Sequence, residues 1–191
     1  MKHPLTLLCA IVLASCLVSL RGLSDTGATL RVLQSFPVHV TDSDEDPDSR
    51  AARLAEIAQA IDAATSDPTE RAALLTLVKF ESGAAAYVFE GRCADGPRGL
   101  YECDGTPGKG HKATGVYQLH ANNDHPVIPS DVASQSRIAL RLWKSGRVSC
   151  RRVVTDEIAG AFVSFGTGGK CSPTGWSQAR ASHLRRIAGR L

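Results

Sequence analysis

Leu74-Leu75-Thr76-Leu77-Val78-Lys79-Phe80-Glu81-Ser82-Gly83 is the stretch on which this chain turns: an apolar helix that carries a carboxylate on its inner face and stops at a glycine. Leu74, Leu77, Val78 and Glu81 stand at i, i+3, i+4 and i+7, the spacing of one buried helical stripe. Glu81 is therefore expected to point inward. There it meets desolvation and the negative end of the helix dipole, and both favour the protonated acid, which makes it a proton donor. A competing reading has Phe80 completing the buried stripe while Glu81 turns to solvent as an ordinary helix-end glutamate.

The chain has 191 residues, 43% of them hydrophobic, which suits one domain with appendages and one sizeable core. The formal charge of +3 and the pI near 8.6 come from scattered arginines. There is no basic block of the kind that marks a nucleic-acid footprint, so nucleic acid is not an expected partner. A mild positive charge suits an anionic partner such as a cell wall polymer, and solubility explains it equally well.

At the N-terminus, Lys2 and His3 precede the apolar run from Leu5 to Leu20, too short and weakly flanked for a comfortable membrane span. Residues 1–23 read as an export signal, excluded from the fold. Leu13-Ala14-Ser15-Cys16 resembles a lipobox, in which Cys16 becomes the lipidated first residue of a membrane-anchored mature protein. The alternatives are a conventional cut around Gly22 to Ser24, or an uncut helical anchor. In the first two cases the protein is exported: a periplasmic or outer-membrane lipoprotein, or secreted. Four cysteines then remain, Cys93, Cys103, Cys150 and Cys171, and an even count in an exported chain implies two disulfides. Cys93 with Cys103 and Cys150 with Cys171 is the favoured pairing, because each pair brackets one turn-rich connection. Zinc competes through His111, His120 and His125, but no cysteine has a partner two to four residues away, so no metal is expected.

Residues 24–46 lack sustained periodicity and end in the acidic run Asp42 to Asp48, which reads as a linker. The domain is expected over 47–191. Its first helix starts at Asp46-Pro47 and runs to Ala64; a second starts at Asp67-Pro68, with Glu70 placed for a capping box, and ends at Glu81. Between Gly83 and Gly115 lies a long loop for Cys93 and Cys103 to staple, in which Tyr87, Phe89 and Tyr101 either offer sugar-stacking faces or pack the loop onto the domain. A third helix opens at Asp131, with Val132, Ile138, Ala139, Leu142 and Trp143 inside, and closes at Gly146. A fourth begins at Asp156-Glu157 and breaks at Gly166-Thr167-Gly168-Gly169. A last one follows Ser172-Pro173, with Trp176, Ala179, His183, Leu184 and Ile187 as its inner stripe.

Glu81-Ser82-Gly83, then Gly115-Val116-Tyr117-Gln118-Leu119, then Val163-Ser164-Phe165-Gly166-Thr167-Gly168, in that order on a helical, exported chain, resemble the lysozyme-like soluble lytic transglycosylase family over about Asp67 to Leu191. The resemblance implies a mainly α, lysozyme-like domain with a long disulfide-stapled loop, acting without cofactors on the glycan strands of peptidoglycan. Glu81 looks like the catalytic acid that protonates the glycosidic oxygen between N-acetylmuramic acid and N-acetylglucosamine. The same carboxylate then draws the muramoyl C6 hydroxyl onto the anomeric carbon, releasing a 1,6-anhydro product. Ser82, Gly115, Gln118, Ser164 and Phe165 fall on substrate-binding motif positions, and Tyr117 stands where the family usually has methionine, an aromatic face for sugar. The family's Tyr-Asn-Ala-Gly becomes Val163-Ser164-Phe165-Gly166, which removes the asparagine amide and leaves the supporting tyrosine's space to Phe162 or Tyr117.

Ordinary glycoside hydrolysis needs a second carboxylate facing the acid, and the loop offers Glu90, Asp95, Glu102 and Asp104. If one faces Glu81, a hydrolysing lysozyme is the better description. If none does, internal attack by the substrate's own hydroxyl is the natural route. A non-catalytic peptidoglycan-binding module of the same fold is the alternative from another class. An enzyme needs Glu81 at the floor of an open groove with Tyr117 and Gln118 alongside, whereas Glu81 paired to an arginine on the surface would sink the catalytic reading.

Overall fold

A computed structural model describes residues 27–92, 113–121 and 127–191. The described chain is mainly α: seven α-helices, one 3-10 helix at Val40–Asp42, no strand, and one isolated antiparallel bridge between Thr114 and Leu119. The helices include residues 27–34 (α1), Pro47–Ala64 (α2), Pro68–Glu81 (α3), Ala86–Phe89 (α4), Val132–Cys150 (α5), Glu157–Thr167 (α6) and Gly175–Ala188 (α7).

Four helix starts follow one rule. Asp46, Asp67, Asp131 and Asp156 each accept a hydrogen bond from the backbone N–H three residues on, satisfying a donor that the first turn would otherwise leave open. Thr174 and Ser177 form a reciprocal capping box on α7. Glu70 does not complete the expected box on α3. Its carboxylate accepts from Thr65 Oγ1 at 2.6 Å and pairs with Lys144 at 2.6 Å instead.

α3 is the central helix. Every residue from Arg71 to Val78 is buried, so it needs neighbours on all sides, and α7, α5 and α2 supply them. α5 packs on α6 and α2, and α6 on α7. Trp143, Tyr117 and Phe162 are the largest fully buried side chains.

Three expectations are corrected. Residues 27–46 are not a linker: Val32, Leu33 and Phe36 are in the core, Thr29 Oγ1 donates to Asp62 at 2.5 Å, and Asp42 is buried beside Arg53. Gly146 does not end its helix, whereas α6 breaks within Gly166-Thr167-Gly168-Gly169 as expected. A Cβ at Gly146 would lie 2.8 Å from Ser164 Cβ, so this glycine lets α5 and α6 approach, and α6 stops at Gly168, whose φ of 67° caps it. On α7 the inner residues are Ser177, Ala181, His183, Leu184 and Ile187, while Trp176 is exposed.

Cys150 and Cys171 are bonded, as expected, tying the end of α5 to the segment before α7. Cys16, Cys93, Cys103, Tyr101, Asp95, Glu102 and Asp104 lie outside the described residues, so the expected loop staple and lipidation site are not described. Among the described residues no helix is long and apolar enough to cross a membrane.

Candidate functional site

The end of α3 is built from a compact set of hydrogen bonds. Ser82 and Gly83 both donate to Val78 O, at 3.2 and 2.9 Å, closing the helix, and Gly83 takes the left-handed conformation that a glycine tolerates. Ser82 Oγ donates to Val116 O at 2.8 Å and accepts from Ala84 N at 3.1 Å. One hydroxyl thus joins the Glu-Ser-Gly segment to the Gly115–Leu119 turn, 34 residues away in sequence.

That turn is tight. Thr114 and Leu119 exchange backbone hydrogen bonds at 2.8 and 3.0 Å, and both Gln118 N and Gln118 Nε2 donate to Gly115 O, at 2.9 and 3.0 Å. Gly115 is required here. Its φ is 67°, and a Cβ would fall 1.9 Å from Oε1 of Gln135, whose amide is fixed by donating to Pro129 O and Ser130 O. Among the described residues only two non-glycines have positive φ, Ala84 at 59° and Gln118 at 47°, and both lie on these two segments. Such positions cost about 1–3 kcal/mol each and gather where function over-determines the backbone. Ala84 is held by Ser82 Oγ on its N–H and by Arg53 Nε on its carbonyl, the latter at 2.9 Å.

Tyr117 is not a sugar platform. It is fully buried, and because Ser136 Oγ gives its own proton to Val132 O at 2.9 Å, the phenol donates to Ser136 at 2.8 Å. Burial holds its ionisation far above the usual value, outweighing the opposing pull of Ser136. Gln118 is 5% exposed, so the turn presents little but backbone. Ser164 is engaged between α5 and α6, and Phe165 packs on the edge of the core. Tyr87 is also buried, against the His39 ring at 5.7 Å, and Phe89 is half-buried on the core.

Glu81 faces inward from the end of α3, its side chain 14% exposed, and it pairs with Arg180 of α7. The guanidinium lies 4.6 Å from the Trp176 ring centre and 5.5 Å from that of Phe80, both rings 41% exposed. Trp176 in turn stands beside Gly166, where a Cβ would be 3.5 Å from the ring. The third motif therefore reaches Glu81 indirectly, through Gly166, Trp176 and Arg180. Sequence periodicity missed Trp176 as a surface group by placing it on a buried stripe, while the exposure of Phe80 goes against the competing reading that had it complete the stripe in place of Glu81. Arg180 had only its position on the polar face of a helix to mark it.

Behind Phe80, His183 is 7% exposed, its ring edge-on to Phe80 at 5.7 Å and its Nδ1 3.2 Å from Thr76 Oγ1. Burial first, then Lys79, Arg186 and Arg190, pull its pKa down to about 4, so this histidine is neutral and structural at neutral pH.

Chemically, the cluster offers one carboxylate, one guanidinium and two half-exposed aromatic faces, groups suited to sugar stacking and charge-assisted hydrogen bonding. The guanidinium favours the carboxylate form of Glu81, opposing the bias of the helix end, so proton donation requires the pair to open. Glu90, the described candidate for a second carboxylate, is exposed and paired with Arg92. Among the described residues no group of three or more His, Cys, Asp or Glu side chains could hold a metal ion. Compared with known proteins, the chain matches no family model, no curated protein and no solved structure.

Proposed function

We propose that the protein is a lysozyme-like peptidoglycan lytic transglycosylase that cleaves the β-1,4 bond between N-acetylmuramic acid and N-acetylglucosamine. The observation that carries the reading is the convergence at Ser82: its hydroxyl ties the segment bearing Glu81 to the Gly115–Leu119 turn, and both left-handed non-glycine residues sit on those segments. Glu81, released from Arg180 by the entering glycan, takes up a proton from solvent and gives it to the glycosidic oxygen as the C–O bond breaks. The carboxylate then takes the proton of the muramoyl C6 hydroxyl as that oxygen bonds to the anomeric carbon. Arg180 stabilises the carboxylate between the two steps. The Cys150–Cys171 disulfide suits an exported protein in an oxidising compartment, in keeping with the N-terminal export signal.

A second reading rests on the Glu81–Arg180 pair itself: a glycan-binding module that keeps its carboxylate permanently engaged and does not turn over. Digestion of purified peptidoglycan by the full chain, with Glu81→Gln alongside, separates the two when released muropeptides are weighed. Anhydro products, lower in mass by one water than hydrolysed ones and reduced at least about 100–1,000-fold in the variant, support the transglycosylase. Reducing ends would mean a hydrolysing lysozyme. Sacculus binding without release, equal in both forms, would mean the binding module.

A further inference from the structure

The large apolar side chains that the described residues leave in water are five valines, Phe80 and Trp176. The valines are spread along the chain. The two aromatics, one from the last turn of α3 and one from the first turn of α7, meet at a single guanidinium: Arg180 Cζ lies 5.5 Å from the Phe80 ring centre and 4.6 Å from that of Trp176. The two rings are not equivalent. Phe80 is shared with other neighbours, since Lys79 Nζ lies 5.7 Å from its centre and the His183 ring meets it edge-on at 5.7 Å. Trp176 has Arg180 over one face and Gly166 beside its rim, where a Cβ would stand 3.5 Å from the ring. An indole with one face so covered and 41% of the residue still in water presents its other face outward.

That face is held still. Thr174 and Ser177 close a reciprocal capping box around the turn that carries Trp176, and Ser177 is fully buried. Cys171, five residues before the indole, is bonded to Cys150 of α5. Arg180, one helical turn on, is paired with Glu81. A large apolar face fixed in water forgoes the gain of burial, and it suits a ligand because little ordering cost remains on binding. The neighbours set the chemistry of that ligand. A cation is disfavoured, since the guanidinium already lies on the ring and repels a second positive charge. A wholly apolar ligand would strip water from Glu81 and Arg180 and return no hydrogen bond. A pyranose matches both halves: its C–H face lies flat on an indole, and its outward hydroxyls meet the carboxylate and the guanidinium at the rim.

We propose that Trp176 is the platform on which a pyranose ring of the glycan strand stacks, seating the strand against Glu81 and Arg180. This deepens the glycan reading of the same cluster and rests on it. The chain has two tryptophans, and Trp143 is fully buried in the core, so a ligand that changes tryptophan emission on contact reports on Trp176. The full chain carrying Glu81→Gln, so that turnover does not consume the ligand, is titrated with solubilised glycan strands of peptidoglycan. Emission shifts to the blue and acrylamide quenching falls as the strands bind. In cosedimentation with insoluble peptidoglycan, Trp176→Ala in the same background weakens binding about tenfold, and Trp176→Tyr restores most of it. Unchanged emission, or equal binding by Trp176→Ala, overturns the proposal. So does an equal emission shift with polyglutamate, which would mean an anion on Arg180 rather than a sugar on the indole. Digestion separates this assignment from the reaction it serves. Anhydro products released with the same KM by wild type and Trp176→Ala would overturn the platform and leave the transglycosylase standing. Binding that depends on Trp176, with no release by the wild type, would support the platform and remove the transglycosylase.

Discussion

Two guanidinium groups reach the end of α3 and the turn that follows it, and they are held in different ways. Arg53 is 5% exposed and donates from all three nitrogens: Nε to Ala84 O at 2.9 Å, Nη2 to Asp42 at 3.1 Å and to Glu45 at 2.8 Å, and Nη1 to Glu45 as well. Asp42 passes the connection on by accepting from Ala86 N at 3.0 Å. Arg180 has Glu81 and two half-exposed rings, and its buried Nε has no hydrogen-bond partner among the described residues. The first arrangement is what fastens a fold. The second leaves one buried donor unused beside a carboxylate, as Trp143 Nε1 is left unused in the core. On the proposed function, the difference separates scaffold from site.

The largest expected effect breaks the scaffold side. Arg53→Ala strips Asp42 and Glu45 of their counter-charge and frees the Ala84 carbonyl. It should cost about 3–5 kcal/mol, the range for removing one partner of a buried pair, read from urea unfolding. A loss under about 1 kcal/mol would mean that the two guanidinium clusters do not differ in kind. Next comes the wall behind Phe80. The folded-state pKa of His183, about 4, lies below its ordinary 6.5, so the unfolded chain takes up the proton first. Its contribution is complete above pH 6.5 and is lost as pH falls toward 4, on the order of 3 kcal/mol in all. His183→Gln should therefore flatten the stability profile between pH 6.5 and 4, and equal slopes in both proteins would refute the assignment.

Much of the scaffold was legible in the sequence because capping is local: Asp46, Asp67, Asp131 and Asp156 announce their helices within four residues of chain. What failed depended on contacts distant in sequence. Asp42 sits in a run that reads as solvated acid, and only Arg53, 11 residues on, together with Ala86, 44 residues on, makes it a buried anchor. Gly146 reads as a helix stop until α6 is packed against it. In the candidate site, the inward direction of Glu81 was legible from the stripe and its terminating glycine, and Ser82 only from the motif that the family resemblance rests on. Trp176 was not, because a large aromatic defaults to the inner face in any periodicity argument, and a helix that keeps it half out of water shows itself only once its neighbours are placed.

On the site side, Arg180→Met keeps much of the side chain's packing against Trp176 and Phe80 while removing the charge. Glu81 retains some access to water, so the expected destabilisation is about 1–2 kcal/mol, well below that of Arg53→Ala. With the guanidinium gone, the protonated form of Glu81 persists to higher pH, so the alkaline limb of the pH–rate profile for glycan release should move upward. A purely structural Arg180 would lower the rate without moving that limb.

The smallest expected effect concerns Tyr117, which the sequence placed in the cleft and the structure places in the core. Tyr117→Phe removes the phenolic donor but leaves Ser136 Oγ bonded to Val132 O, so no buried group is stranded with all its partners lost. The cost should be that of one ordinary hydrogen bond, about 1 kcal/mol. Because the ring stays and the Gly115–Leu119 turn is held separately by its own backbone bonds and by Ser82, glycan release per folded molecule should not change. Unchanged stability with a tenfold drop in release would mean that the phenol meets substrate, and the turn would then belong with Arg180 on the working side of the molecule.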